Sequence, residues 1–188
     1  IEPDITTTQR LETQSTTTTV TFPNPMPVQP WQGPEGQGSG QGDPLGQSFL
    51  VDIPPSIPGM FMEKIGVYFR TKDANLGITL VLAEVTAGIP DRSKIIARSY
   101  LKPSAISTSV DATAETVFEF GEMPYLTAAK YYAFYLQPDG NSPEYLVYMA
   151  EIGGTDITTG IRIFSNPYIG VAYTSANAET WTPLQTED

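Results

Sequence analysis

The sequence predicts an all-β protein, namely an antiparallel β-sandwich of the jelly-roll kind with an extended N-terminal arm. Short runs of β-branched and aromatic residues follow one another, with turn residues about every 8 to 14 positions. No segment repeats its apolar residues with the 3.6-residue period of a helix. Charged residues make up only 16% of the chain, which contains 16 glycines and 17 prolines, and this composition favours strands and tight turns.

The individual strands are predicted from alternation and from the turns that bound them. In residues 76–85 one face carries Ile78, Leu80 and Leu82 and the other is also largely apolar, which predicts a central strand buried on both sides. Residues 138–141 predict a tight turn, and residues 103–109 one short turn of helix. The expected strands span residues 46–52, 60–70, 76–85, 93–101, 113–120, 130–137, 145–150, 161–164, 170–174 and 180–182.

The chain divides into an arm at residues 1–45 and the predicted sandwich at residues 46–188. The arm contains runs of threonine, then six prolines between Pro23 and Pro44. Such a stretch buries too little apolar surface to offset the entropy lost on ordering, so we expect a linker, or a polyproline-like arm that lies on a neighbouring surface. Residues 16–22 (TTTTVTF) are rich in β-branched side chains and suit addition to a sheet edge.

Composition excludes several classes of function. The chain has no cysteine and no histidine, so it cannot use thiolate or histidine catalysis, and it lacks the commonest ligands of zinc and iron. The net charge of −11 argues against nucleic acid and anionic membranes as partners. No apolar run is long enough for membrane insertion. Because the chain begins at Ile1 without a signal-like segment, we expect a processed or excised piece of a longer protein.

Acidic side chains leave two alternatives open. Paired carboxylates could hydrolyse a polysaccharide, and the pairs considered are Glu119 with Glu122, Asp111 with Glu115, and Glu144 with Glu151. A structural calcium ion needs only oxygen ligands from loops, and the loop residues considered are Asp52, Asp73, Asp111, Asp139, Asn141 and Asp156. Neither set has a diagnostic motif, so no catalytic residue is assigned, no metal ligand is assigned, and no cofactor other than such a calcium ion is expected.

A carbohydrate-binding surface is a further alternative. An exposed aromatic ring offers a flat apolar face to a sugar, and four aromatic residues lie near predicted loops rather than in mid-strand. These candidate glycan contacts are Trp31, Tyr168, Tyr173 and Trp181. The remaining aromatics alternate within predicted strands and are expected in the core. The glycine-rich residues 36–42 lack the lysine and the flanking strand and helix of a phosphate-binding loop, so they are interpreted as backbone without a site.

Several phrases of the sequence, in this order, resemble a domain of virion structural proteins in tailed bacteriophages with contractile tails. The family usually has Ala where this chain has Gly46, and Gln before the Pro-Tyr pair at 167–168. The resemblance covers about residues 43–188 and leaves the arm outside it. The matching phrases are at residues 43–49, 65–69, 71–73, 88–90, 117–120, 124–126, 132–134, 166–171, 175–177 and 180–182.

The resemblance implies a β-sandwich used in a tail, baseplate or tail-fibre component. It implies location in the virion, after assembly in the host cytoplasm, and contacts with other virion proteins and with further copies of the chain, as homo-oligomers that include trimers by analogy. The family supplies no catalytic residues. We therefore expect a structural module that is not an enzyme and that mediates subunit contacts through its arm and its sandwich surface. A host-glycan-binding module is the main alternative, and a polysaccharide hydrolase is the third.

Overall fold

The computed structural model describes residues 45–149, 153–156, 159–164, 169–175 and 178–184, so all of the predicted arm except Leu45 lies outside the described residues. The described part is an all-β antiparallel sandwich, as the sequence predicts. Its eleven strands are β1 (Leu45–Leu50), β2 (Gly59–Phe61), β3 (Lys64–Thr71), β4 (Ile78–Thr86), β5 (Ile89–Leu101), β6 (Glu115–Glu119), β7 (Tyr125–Thr127), β8 (Tyr131–Pro138), β9 (Leu146–Val147), β10 (Ala172–Thr174) and β11 (Thr182–Leu184).

The first layer is a six-stranded sheet in the order β11-β10-β1-β8-β4-β5. Strand β8 lies at its centre and pairs with β1 on one side and β4 on the other. β4 and β5 form a hairpin closed by Ala87 and Gly88, which both have positive φ, as a two-residue turn between twisted strands requires. β1 also pairs with β10, near the other end of the described chain, so some neighbouring strands of this layer are distant in sequence.

The second layer is built on one long antiparallel pair with an interruption. β3 pairs with β6 and β2 pairs with β7. Between these ladders Phe120 donates to the carbonyl of Glu63 at 2.9 Å and Met62 to that of Pro124 at 3.0 Å. Residues 62–63 thus lie opposite residues 120–124, which forms a bulge in the longer segment. The chain bends at this bulge. β9 completes the layer beside β3. We call the β2–β7 pair the ribbon.

The main core lies between the two layers. Alternate residues of β4 and β8 point inward, among them Leu80, Leu82 and Leu136, and meet Phe69 and Phe118 of the second layer. These side chains are at most 3% exposed. Burial of each large apolar side chain contributes on the order of 2 kcal/mol, so this contact holds the layers together.

A second apolar cluster covers the opposite face of the six-stranded sheet. Val81 and Ala83 of β4 and Tyr135 of β8 point outward, away from the main core, and are nonetheless buried. They are covered by residues 178–181, which pass over the sheet before β11. The prediction that the strand at residues 76–85 is buried on both faces is therefore confirmed. We call this group, with Tyr173, Ala178 and Trp181, the outer cluster.

β5 begins at Ile89 and not at residue 93, and β11 spans Thr182–Leu184 and not residues 180–182. The predicted strands differ further from the observed ones at three places. The strand predicted at residues 60–70 is split at Met62 and Glu63 by the bulge. Residues 161–164 form no strand, because Arg162 makes only one isolated bridge, with Thr155. The three-residue β7 was not predicted. The turn of helix predicted in residues 103–109 is a 3₁₀ turn at Pro103–Ala105. No helix in the described part of the chain is long and apolar enough to span a membrane.

Candidate binding surfaces

Two of the four aromatic residues considered as glycan contacts are buried. Tyr173 is 3% exposed and Trp181 is 6% exposed, so neither ring presents a face to solvent in this structure. Both rings belong to the outer cluster. Trp31 and Tyr168 lie outside the described residues, and glycan contact by these two stays a prediction.

Trp181 is buried because residues 178–181 lie on the sheet. Its ring centroid is 5.1 Å from that of Tyr135 and 6.3 Å from that of Tyr173. Beneath it β1 carries Gly46, and a Cβ at that position would lie 3.3 Å from the indole and 3.0 Å from the Phe134 carbonyl oxygen. The space for the indole therefore depends on the missing side chain. The indole N–H has no acceptor within the described part of the chain.

Tyr173 joins the hairpin turn to the sheet. Its hydroxyl donates to the carbonyl oxygen of Gly88 at 2.5 Å and lies 3.3 Å from the Ser48 hydroxyl. Ser48 in turn accepts from the backbone N–H of Val171 at 2.9 Å. The ring and the hydroxyl of Tyr173 are both used internally, which explains structurally why it offers no contact to a ligand.

The ribbon, in contrast, exposes an aromatic pair that the sequence did not single out. Phe61 is 63% exposed and Tyr125 is 45% exposed, and their ring centroids lie 5.2 Å apart with the rings at 66°. They are opposite each other in the β2–β7 register. The Tyr125 ring also covers Gly59, where a Cβ would lie 2.5 Å from the phenol. The glycine therefore permits the ring to lie on the ribbon.

The exposed pair belongs to a larger apolar surface. Met123 in the bulge is 57% exposed and Ile57, which precedes the ribbon, is 45% exposed. Exposed Glu63 and Glu122 lie in the same bulge segment. The signal for this surface is present in the sequence, because Met60 and Met62 pack on the core and Phe61 between them must point outward. We call Ile57, Phe61, Met123 and Tyr125 the ribbon patch.

The acidic candidates serve the fold where their contacts are known. Asp73 accepts from the backbone N–H groups of Asn75 and Leu76 at 2.7 and 2.9 Å, and from the Ser142 hydroxyl at 2.5 Å. The Ser142 hydroxyl is the main cause that lowers the pKa of Asp73. Nearby, Tyr145 donates to the Leu76 carbonyl at 2.5 Å, and burial, followed by the charge of Asp73, raises its pKa to about 12.

Neither the calcium nor the hydrolase alternative gains a site. No group of three or more acidic side chains in the described residues is arranged to hold a metal ion. The carboxylates of Glu119, Glu122, Asp111 and Glu115 are exposed on strands and loops. Glu151 lies outside the described residues, so the pair with Glu144 stays a prediction.

Two hollows are present in the described surface. A cleft of about 150 Å³ opens between the layers and is lined by Gln47, Tyr68, Phe134 and Tyr148 among others, and it is smaller than the roughly 300–1,000 Å³ of ordinary ligand pockets. An open hollow of about 610 Å³ at the β4–β5 turn is lined by Arg92 and Glu179, which form an exposed ion pair at 2.8 Å. The lining of the second hollow also includes Thr86, Asp91 and Ser93, which hydrogen-bond to one another within the β4–β5 hairpin.

Strand β5 forms a long edge of the six-stranded sheet. It has 13 residues, pairs with β4 on one side, and has no strand on its other side within the described residues. Its first half is irregular, because the register with β4 shifts on both sides of Ala83. Its second half is regular, from Leu101 opposite Ile78 to Ala97 opposite Leu82.

Asp91 stabilises the irregular first half of β5. Its carboxylate accepts from the Ser93 hydroxyl at 2.6 Å, the Thr86 hydroxyl at 2.8 Å and the Ser93 backbone N–H at 2.9 Å. These hydrogen bonds, led by that of the Ser93 hydroxyl, lower the pKa of Asp91 to about 2. Lys94 lies 3.7 Å from the same carboxylate, an exposed pair of little energetic weight.

Comparison with known proteins finds no matching family model, no matching curated protein and no matching solved structure.

Replacing Gly46 by valine is expected to displace Trp181. The new side chain would crowd the indole and the backbone of β8, and overpacking of this kind costs about 1–3 kcal/mol. Unfolding in urea would measure the loss, and in a Trp31→Phe background the fluorescence of Trp181 would shift to the red. Gly121→Val is the control, because nothing lies within 4 Å of a Cβ there. Equal effects of the two substitutions would contradict the assigned packing.

The Asp91→Asn variant is expected to lose part of the acid sensitivity of folding. The pKa of Asp91 is lowered in the folded state, so its hydrogen bonds stabilise the fold above the ordinary carboxyl pKa near 3.8 and lose this contribution as the pH falls toward about 2. The difference in unfolding free energy between wild type and variant should therefore shrink between pH 5 and pH 2. A difference that stays constant over this range would contradict the assignment. Ser93→Ala should show the same trend.

Proposed function

We propose that this chain is a structural assembly module that joins copies of itself within a larger particle, the tail, baseplate or tail fibre of a bacteriophage. The ribbon patch is the single observation that carries the proposal. Four large apolar side chains are exposed on and beside one two-stranded ribbon, and they do not pack on the main core. The sequence resemblance to virion proteins supports the identity of the particle.

The chemistry of the ribbon patch suits a protein partner. Phe, Tyr, Met and Ile are side chains that protein interfaces bury at their centres, and charged residues normally form the rim. Here Glu63 and Glu122 supply rim charge beside Phe61 and Tyr125. The contact between the exposed rings of Phe61 and Tyr125, with exposed Ile57 and Met123 close by in sequence, supports an interaction surface here. The partner that we propose is a second copy of the chain, within an oligomer of the virion.

The double variant Phe61→Ser with Tyr125→Ser is expected to weaken self-association about tenfold or more, because central aromatic side chains contribute most of an interface's binding energy. Sedimentation over a wide concentration range would measure it. Tyr131→Ser is the matched control, since Tyr131 is a 42% exposed aromatic residue on β8, outside the ribbon. A wild-type chain that stays monomeric throughout, or an equal loss in the control, would contradict the proposal.

Carbohydrate binding is the second candidate, and the aromatic pair of the ribbon favours it. Phe61 and Tyr125 offer two exposed rings within 5.2 Å of each other, although their 66° inclination does not give one flat platform. The four residues first considered for glycan contact contribute no exposed ring within the described part of the chain. The ribbon patch is therefore the surface at which this candidate is tested.

Calorimetric titration with polysaccharides from the surface of the host bacterium would decide the carbohydrate candidate. If it holds, wild type should release heat, and Phe61→Ala should lower the affinity about tenfold, because a ring stacked on a sugar contributes on the order of 1 kcal/mol or more. Absence of binding by wild type across the host polysaccharides would exclude this candidate and leave the assembly proposal intact.

A further inference from the structure

We propose that the second half of β5, residues 97–101, binds residues 16–22 of a second copy of this chain as an added β-strand. The inference rests on the proposed function, because it names a second contact by which the assembly module joins its copies. It concerns a different surface from the ribbon patch, so the two contacts can fail separately.

The free edge of β5 offers the longest row of backbone groups for such pairing. In an antiparallel edge strand every second residue directs its N–H and C=O away from the sheet. The other edges of the described layers are less suitable: β11 has three residues and includes Pro183, and β9 has two. β6 has five residues, among them Glu115 and Glu119, and ends at the bulge.

Only the second half of β5 is suited to a partner strand. The first half contains Pro90, Arg92 and Lys94 and two shifts of register, which are features that protect an edge from pairing. From Ala97 to Leu101 the register with β4 is continuous. An edge of regular register, with Arg98 as its one charged residue, therefore follows an irregular edge within the same strand.

The side-chain pattern of residues 16–22 matches this edge. In β5, Ala97 and Leu101 pack on the main core, while Arg98 on the opposite face is exposed. In the added segment Val20 and Phe22 share one face, and the other carries threonines. Val20 and Phe22 would extend the apolar core beyond Ala97 and Leu101, and the threonines would lie beside Arg98. A shift by one residue would expose the two apolar side chains, so the pairing is specified.

Charge favours the arm over a second β5 edge as the occupant. Arg98 and Lys102 are the basic side chains of the half proposed to bind and of the residue after it, whereas Arg92 and Lys94 in the first half already lie beside acidic side chains. Residues 1–44 hold five acidic side chains and one basic one. Two β5 edges brought together would juxtapose like charges, whereas the acidic arm is complementary to this edge.

The length of the intervening chain favours a second copy over the chain's own edge. Residues 23–44 number 22 and include six prolines, and their composition predicts a polyproline-like spacer that extends to about 68 Å. β1 and β5 are three strand spacings apart in the sheet, or about 14 Å. The spacer is several times longer than its own edge requires and suits a neighbouring copy.

Disulfide trapping tests this contact directly, because the chain has no cysteine of its own. One preparation of the full chain carries Arg98→Cys. A second carries a single cysteine in place of Thr17, Thr18, Thr19, Val20 or Thr21, in turn. The two are mixed under mild oxidation, and covalent dimers are measured without reductant. Thr7→Cys, in a separate threonine run, is the control for random encounter.

The expected result alternates along the arm. Cysteines at Thr17, Thr19 and Thr21 share the face of Arg98, and the one that lies opposite position 98 should give the most dimer, since disulfides need Cβ atoms about 4 Å apart and alternate residues of a strand lie about 6.7 Å apart. Thr18 and Val20 lie on the other face and should give about tenfold less dimer than that position. Dimer no greater than that of the Thr7 control, or equal dimer at all five positions, would overturn the proposal. A chain with both Arg98→Cys and Thr19→Cys that cross-links only within itself would overturn the second copy as the source.

The same trapping in the Phe61→Ser and Tyr125→Ser background separates the two contacts. Trapped dimer that persists there supports the β5 contact even if the ribbon patch proves inert. Absence of trapping between the cysteine variants when the ribbon patch is intact, while sedimentation still detects self-association, would overturn the β5 contact and leave the proposed function standing.

Discussion

The structure depends on one constraint, that β4 and β8 are apolar on both faces. A sheet with such central strands cannot leave either face in water, so it must be covered twice. The second layer covers one face, where Leu80 and Leu136 meet Phe69. Residues 178–181 cover the other, where Trp181 lies on Tyr135. A sandwich of only two layers would have left the outer face of these strands exposed.

This double burial decides which aromatic residues remain for binding. Tyr173 and Trp181 are buried in the outer cluster, and Phe69 and Phe118 are buried between the layers. The ribbon lies beyond the bulge. There Met60 and Leu126 pack on the main core, and the Phe61 side chain points away from it and is exposed within the described part of the chain. An exposed aromatic pair at this place follows from the bend in the second layer.

The sequence predicted the fold better than it predicted the surfaces. Alternation located β4 and β8 because their side chains obey the two-residue period on both faces. It did not locate the split at Met62, since a bulge depends on the partner strand and not on local pattern. Residues 161–164 have the composition of a strand, but within the described residues their one pairing is the isolated bridge between Arg162 and Thr155.

Trp181 and Tyr173 were considered as exposed glycan contacts because the sequence shows only their local surroundings. Both lie near turns, and closeness to a turn normally indicates exposure. Their burial arises from residues 178–181 crossing a sheet whose other strands lie more than 30 positions earlier or in β10, a contact that no local window contains. Phe61 was predictable in principle from the inward positions of Met60 and Met62, because that argument needs only alternation.

The order of these contacts along the chain has a consequence for synthesis. β1 pairs with β8 and β10, whose residues follow it by more than 80 and 120 positions, so β1 must wait for both partners to leave the ribosome. The outer face of β4 and β8 stays bare until Ala178 and Trp181 arrive. Non-local pairing of this kind folds slowly, and the unfinished sheet exposes apolar surface meanwhile. The described sheet is therefore completed only when β10 and residues 178–181 have joined strands that were made much earlier.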